Sequence, residues 1–275
     1  MAKLRIALLF GGRSVEHEVS IASALSIFDA LDKSKYDVTL IGIDQSGRWL
    51  LPEQSQLLAH KENPRLIKLN KQKDELTLLP SSKGNQLILH PLEHGGSTPK
   101  PFDLVFPIVH GSFGEDGTLQ GFLELANVPY VGAGVLGSAL GMDKDVCRKL
   151  LKEAGIPVVE YVVIKEHEFK KNEQAIIAEA KKKIGFPAFV KPANMGSSVG
   201  VNKVKSEEEL AQKIQEAFQY DQKVLVERAI DARELEVSVL GNENPEASIV
   251  GEIIPQGEFY DYHSKYIDEH GAILK

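Results

Sequence analysis

The sequence predicts an α/β protein in which an open parallel sheet is followed by an α+β module. Three observations carry that prediction. The run "LRIALLF" (residues 4–10) is continuously apolar, as in a parallel strand buried on both faces. A helical-period segment and a second apolar run, "DVTLIGI" (37–43), follow it, giving the strand–helix–strand alternation of an open sheet. After Gly141 the texture changes, and the chain ends in strand-like runs that come in succession.

Along the N-terminal part, Ile21, Leu25, Phe28 and Leu31 recur at helical spacing between the first two strands. Residues 53–100 are polar with scattered prolines and read as an irregular excursion. "FDLVFPIVHG" (102–111) returns to the sheet, Thr118 to Ala126 reads as a helix, and "VPYVG" (128–132) as a further strand. Beyond Gly141, "DKDVCRKLLKEAGIP" is an amphipathic helix stopped by Gly155 and Pro157. The strand "VVEYVVI", a lysine-rich helix over residues 173–184 and the strand "FPAFVKP" come next. Ser206 and Glu209 make a capping-box pattern before "EEELAQKIQEAF". "KVLVERAI", "RELEVSVLG" and "ASIVGEIIP" then read as three strands of an antiparallel sheet.

Composition narrows the function classes. A chain of 275 residues with 43% hydrophobic and 26% charged residues is long enough for two or three globular domains. Its net charge of −7 offers no electrostatic footprint for nucleic acid or an anionic membrane. No segment approaches the roughly 20 apolar residues of a membrane span, and the apolar run after "MAK" is too short for a signal peptide. The lone Cys147 excludes an internal disulfide framework, suits a reducing cytoplasm, and reads as packing rather than as a nucleophile. His90 and His94 have the spacing of helical metal ligands, but Pro91 between them assigns both to a surface loop.

Two glycine-containing stretches carry candidate chemistry. In "FVKPANMGSSVGV" (189–201) a strand delivers Lys191 to a loop whose small residues, hydroxyls and backbone N–H groups could cradle phosphate. An ordinary Gly/Ser hairpin beside a surface lysine fits the same composition. In "GGRSVEHEVS" (11–20) a glycine turn opens a helix, a place that ordinarily welcomes an anion, yet it carries Glu16 and Glu18. These carboxylates could meet a cation, or they could favour the positive helix end while Ser14 caps it. Glu227, Glu234 and Glu236 sit in or beside apolar strands, where an ionised group needs a partner. Solvent-facing alternation accounts for Glu236.

Four stretches together resemble the D-alanine–D-alanine ligases of the ATP-grasp superfamily: "GGRSVEHEVS", "HGSFGEDGTLQG" (110–121), "KPANMGSSVGV" (191–201) and "EFYDYHSKY" (258–266), with "MDK" at 142–144. They occur in the family's order across essentially the whole chain. The resemblance implies that Glu16 pairs with the ammonium of the first D-alanine and that His110 lies near that substrate. It implies that Lys144 and Lys191 touch ATP phosphates, with Ser197 and Ser198 in the loop that covers them. Glu227, Ala229 and Ile230 correspond to the strand beside adenine, and Glu234 to the ribose partner. Ser197 and Tyr266 correspond to residues that hydrogen-bond with Glu16, within a lid over residues 260–266 that also brings Lys265 to ATP.

The implied reaction consumes ATP, with Mg²⁺ or Mn²⁺, to join two D-alanines through an acyl phosphate for peptidoglycan precursors. The implied protein is a cytoplasmic homodimer with small-molecule substrates, no nucleic acid and no membrane. Its implied layout is an N-terminal α/β substrate domain (1–132), a central ATP-grasp subdomain (133–230) and the start of a C-terminal one (231–275). No metal ligand is expected before Lys275. The family's acidic and asparagine ligands, its phosphate-binding arginine and its glycine oxyanion donor fall beyond that point, so the C-terminal part is expected to be incomplete and the 275 residues alone inactive. Two alternatives stand beside this reading: a D-alanine–D-lactate-type ligase, against which Tyr266 speaks, and a non-catalytic nucleotide-binding remnant.

Overall fold

The structure, a computed structural model, describes residues 2–52, 67, 69, 75–80, 87–91, 100–255 and 272–275. The chain divides into two compact units, Met1–Cys147 and Arg148–Lys275.

In the first unit β1 (Leu4–Gly11), α1 (His17–Ala30) and β2 (Tyr36–Ile43) form a β–α–β unit. β1 and β2 run parallel from Leu4 opposite Tyr36 to Gly11 opposite Ile43. Its continuous apolar sequence follows from cover on both faces. Leu8 and Phe10 pack with Ile21, Ala24 and Leu25 of α1, while Ala7 and Leu9 pack on the opposite side. The excursion expected between residues 53 and 100 is instead partly regular. β3 (Trp49–Leu50), β4 (Glu75–Pro80), β5 (Leu87–Pro91) and β6 (Lys100–Phe102) extend the sheet antiparallel. Among the described residues, Pro80 and Pro91 end β4 and β5 and Pro101 lies in the edge strand β6, where a missing N–H is tolerated. His90 therefore belongs to a strand, and His94 lies outside the described residues.

β7 (Leu104–Pro107) returns parallel to β1 and completes the sheet order β6-β5-β4-β3-β2-β1-β7. The parallel part is thus β2-β1-β7. α2 (Thr118–Leu125) delivers Leu119 and Leu123 to the Ala7–Leu9 face. The expected strand at "VPYVG" contracts to one parallel bridge, Val105 with Tyr130, because Pro129 has no N–H and Gly132 turns away at φ 111°. α3 (Val135–Met142) is a helix the periodicity missed, since its "GSALG" core is too small and glycine-rich to show a stripe. Asp143 separates it from α4 (Lys144–Glu153), its side chain accepting the N–H groups of Asp145 and Val146.

The second unit is built on an antiparallel sheet, order β10-β9-β11-β8, from β8 (Tyr161–Lys165), β9 (Ala188–Pro192), β10 (Asn202–Val204) and β11 (Lys223–Arg228). The short α5 (Glu166–Phe169) and then α6 (Glu173–Ile184) follow β8, and α7 (Glu207–Ala217) precedes β11. α6 and α7 cover one face, where Ile177, Ala180, Ile184, Leu210 and Ile214 meet Val190, Val204, Val224 and Val226. Asn172 caps α6 through Ala175 N–H, as Ser206 caps α7 through Glu209 N–H; the Glu209 side chain reaches back to Lys205 N–H.

The three C-terminal runs do not form one sheet. β11 pairs with β9 and β8, whereas β12 (Glu234–Glu236) pairs with β15 (Gly251–Pro255), itself beside β16 (Ala272–Leu274). β13 (Val239–Leu240) and β14 (Glu246–Ala247) form a separate hairpin. "KVLVERAI" is the single strand β11, whereas "RELEVSVLG" and "ASIVGEIIP" each reach into two short strands, which period-2 patterning joins into one. Among the described residues no helix is long and apolar enough to cross a membrane.

Arg5 on β1 holds Asp103 beside β7 through its backbone N–H and two guanidinium nitrogens, at 2.9, 2.9 and 2.5 Å. The Arg5 side-chain bonds, then its backbone bond, lower the Asp103 carboxyl from the ordinary 3.8 to about 2. A depressed carboxylate adds stability that is present above its unfolded value and lost as pH falls through the folded one. Asp103→Asn should therefore lower the melting temperature at neutral pH and remove part of the stability loss between about pH 4 and pH 2. Equal acid sensitivity of the two proteins would show the pair to be irrelevant.

Candidate active site

In the first unit a glycine turn and the loop after β7 are stitched together by serines on and before α1. Gly11 and Gly12 have φ of 86° and 99°, and a Cβ on Gly11 would lie 2.3 Å from Ile43 O. His17 closes the turn by donating from Nδ1 to Gly12 O at 2.7 Å, since a carbonyl can only accept. Ser20 Oγ accepts Gly11 N–H and donates to Ile108 O. Ser14 does not cap α1, whose N-cap position is Glu16. Its hydroxyl donates to His110 O at 2.7 Å and accepts Glu16 N–H at 3.2 Å. Ser14 thus ties together the two residues assigned to the first substrate.

The Glu16 side chain lies over Gly111, where φ is 71° and a Cβ would stand 2.3 Å from Oε2. Only glycine leaves room for that carboxylate. Gly111 N–H meanwhile donates to Glu115 Oε2 at 2.6 Å, and His110 Nε2 meets Ser23 Oγ at 3.0 Å. Glu16 is 5% exposed. A buried carboxylate gives this glycine turn the sign opposite to that of a phosphate loop.

In the second unit, alternation decides which groups meet. On β9, Ala188, Val190 and Pro192 are buried, so Phe189 and Lys191 take the face away from α6 and α7. Lys191 stands opposite Leu225 on β11, and Glu227 is two residues further along the same face. Lys191 Nζ pairs with Glu227 Oε1, and Arg148 Nη2 pairs with Oε2. Glu227 is 5% exposed. The arrangement answers how an ionised residue is kept among the apolar residues of β11.

The loop after Lys191 is held at both ends by the α7–β11 turn. Asp221 Oδ2 accepts Asn194 N–H at 2.8 Å and its Nδ2 at 3.0 Å, while Oδ1 accepts Lys223 N–H. At the far end a Cβ on Gly200 would meet Pro192 and Tyr220 at 2.8 Å. Between them Ser197 and Ser198 have φ of 49° and 59°. Two successive non-glycine residues in the left-handed region are uncommon, a conformation associated with ligand clamps. β9 and β10 do form an antiparallel hairpin, but their pairing starts only at Val190–Asn202 and leaves the segment between them as a long anchored loop rather than a tight turn.

Other assigned residues are less concentrated. Lys144 opens α4 behind the Asp143 cap. Ala229 N–H donates to Pro187 O at 3.1 Å, and Ile230 is 57% exposed, so the stretch after Glu227 leaves the sheet with an apolar side chain at the surface. Glu234 begins β12 as an exposed residue. Lys265 and Tyr266 lie outside the described residues. Cys147 is half-buried in α4. Among the described residues no group of three or more His, Cys, Asp or Glu is placed to hold a metal ion. Sequence reading missed Arg148, Ser23 and Asp221. In "CRKLLK" an arginine reads as a solvent-facing cation, and neither serine nor aspartate carries a local mark of its distant partner.

A parallel α/β unit followed by an antiparallel sheet with a lysine, a Gly/Ser loop and a buried glutamate on its open face is the plan of an ATP-grasp ligase. Comparison with known proteins narrows the class. The profile described as "D-ala D-ala ligase N-terminus" matches residues 5–133, and "D-ala D-ala ligase C-terminus" matches residues 150–274. The D-alanine–D-alanine ligase of Shouchella clausii is 50% identical over 274 residues, covering 100% of this chain and 73% of its own length. Two solved structures superpose with TM-scores of 0.78. The D-alanine–D-alanine ligase from Coxiella burnetii is 40% identical over 93% of this chain and 70% of its own. The VanG D-Ala:D-Ser ligase from Enterococcus faecalis is 35% identical over 100% and 75%. The chain belongs to the D-alanine–D-alanine ligase family.

Asp221→Ala removes the acceptor for both ends of the Asn194 contact. It should cost about 1–3 kcal/mol in urea unfolding and make the 194–200 segment the first site of limited proteolysis. An unchanged cleavage pattern would show that the loop is held by something else.

Proposed function

We infer that the chain catalyses ATP-dependent joining of two D-alanines for peptidoglycan precursor synthesis. The observation that carries the inference is the buried Glu16 carboxylate, set on Gly111 in a turn whose geometry would otherwise favour an anion. Such a seat fits an amino-acid ammonium. Membership of the ligase family in both halves of the chain agrees with it. Relatives 48% and 50% identical over essentially the whole chain are D-alanine–D-alanine ligases, which favours D-alanine as acceptor over the D-lactate-type and non-catalytic readings.

In the reaction the carboxylate of one D-alanine takes the γ-phosphoryl group of ATP, and the amine of a second displaces phosphate from the resulting acyl phosphate. Phosphoryl transfer asks for positioning and neutralisation of charge more than for covalent help. Glu16 anchors the first ammonium, with His110 beside it. Lys191 and Lys144 neutralise phosphate oxygens, and the Ser197–Ser198 loop covers them. Glu227 accepts from the adenine amino group, Ala229 and Ile230 line the base, and Glu234 meets the ribose. Lys265 and Tyr266 belong to the lid. The family uses a divalent cation, and Mg²⁺ or Mn²⁺ fits phosphate chemistry. The described residues supply no ligand set for it, so no step here passes through the metal. A cytoplasmic homodimer is the setting proposed.

ATP cleavage should require D-alanine and release a dipeptide. In Glu16→Gln, KM for the first D-alanine should rise roughly ten- to a hundredfold, with KM for ATP changed far less, since a charge-assisted contact is worth about 1.5–3 kcal/mol. A lower melting temperature with normal kinetics would instead assign Glu16 to the end of α1.

A further inference from the structure

We propose that Arg148 is a positioning residue for the nucleotide: it keeps the Glu227 carboxylate partnered so that Lys191 can leave it for the phosphates. The proposal rests on the nucleotide roles given above to Glu227 and Lys191. It begins from a conflict between them. Both are assigned to ATP, yet here they are assigned to each other, Lys191 Nζ on Glu227 Oε1. For Lys191 to reach phosphate it must abandon a carboxylate whose side chain is only 6% exposed. A buried carboxylate stripped of its counter-charge is a costly state, so the transfer would be opposed unless a second cation stayed behind.

Arg148 is that cation, and its surroundings suit a fixed rather than a mobile one. Nη2 pairs with Glu227 Oε2, and the guanidinium lies 5.2 Å from the ring centroid of Tyr161, the residue directly opposite Glu227 in the β8–β11 pairing. Planar, set over that ring and held by a buried partner, it has less freedom to swing than a lysine. Lys191 is a point charge on a flexible stem, 23% exposed, at the entrance of the phosphate loop, with the Phe189 ring 5.2 Å away. The ion pair with Arg148 is close but not aligned as a hydrogen bond. Glu227 Oε2 and Arg148 Nη1 are both buried and have no hydrogen-bond partner among the described residues. The carboxylate therefore keeps acceptor capacity for a ligand donor while Arg148 supplies the charge. Lys191 changes partner; Glu227 and Arg148 do not.

This division of labour predicts an effect confined to ligands that carry phosphate. Without Arg148, Lys191 is the only cation among the described residues paired with Glu227, and ATP must compete for it; adenosine makes no such demand. Calorimetric titration of the full chain with ATP and with adenosine should show Arg148→Met raising Kd for ATP about tenfold while Kd for adenosine stays within about twofold. Arg148→Lys should recover most of the ATP affinity, and adding Arg148→Met to Glu227→Gln should have little further effect, since no carboxylate is left to strand. Equal weakening of ATP and adenosine would mean plain damage to the pocket and overturn the proposal. So would an unchanged Kd for ATP in Arg148→Met when Lys191→Ala weakens it. If Lys191→Ala also leaves ATP binding intact, the nucleotide-site reading itself falls. Should Arg148→Met not fold, Arg148→Gln is judged by the same ATP-to-adenosine ratio.

Discussion

The second unit depends on how a carboxylate is kept inside an apolar strand. Glu227 is flanked by Val226 and Arg228 on β11, with Val226 buried against α6 and α7 and Glu227 facing the other way. Desolvation would drive an isolated carboxylate out of such a place. Two cations of different character hold it, one set over an aromatic ring and one on a flexible stem. A surface of this kind agrees with the nucleotide role proposed for it, with carboxylate and aromatic groups for a base and a lysine for phosphates. The same alternation that buries Val190 and Val224 creates it.

The two glycine-containing loops solve opposite electrostatic problems with related means. The turn before α1 uses Gly11, Gly12 and Gly111 to make room for a carboxylate, and serines to fix the backbone around it. The loop after β9 leaves its serines in the left-handed region and fixes its ends from the α7–β11 turn through Asp221 and Tyr220. In the first loop the chain supplies negative charge, and in the second a lysine and hydroxyls, the signs that the proposed amino-acid ammonium and nucleotide phosphates would require. An amino acid and a nucleotide are the two ligands a carboxylate-activating ligase has to hold.

Local patterns gave α2, α6 and α7 and the Ser206 cap almost to the residue, because periodicity and capping are properties of neighbouring side chains, whereas Ser14, offered as a cap of α1, bonds elsewhere. Of the proposed site residues, Glu16, Lys191 and Glu227 stand out by charge in glycine-containing or apolar stretches, whereas His110 and the roles given to Ser197 came only from the family resemblance. α3 escaped because two glycines and an alanine leave no stripe to read. The β4–β5 hairpin escaped because its prolines punctuate strand ends and look, in one dimension, like the absence of structure.

What the sequence by itself determined is the α/β order of elements, the family and the residue types available for chemistry. What only the tertiary structure decided is partnership. Arg148 and Glu227 are far apart in the chain and carry no mutual mark; Ser23 and His110, and Asp221 and Asn194, are the same. The physical reason is that a side chain's local sequence sets its conformational preferences, whereas the charge it meets is chosen by strand register and helix packing. A lysine that reads as a free phosphate ligand is, in the folded chain, already paired with the carboxylate that reads as its neighbour at the base.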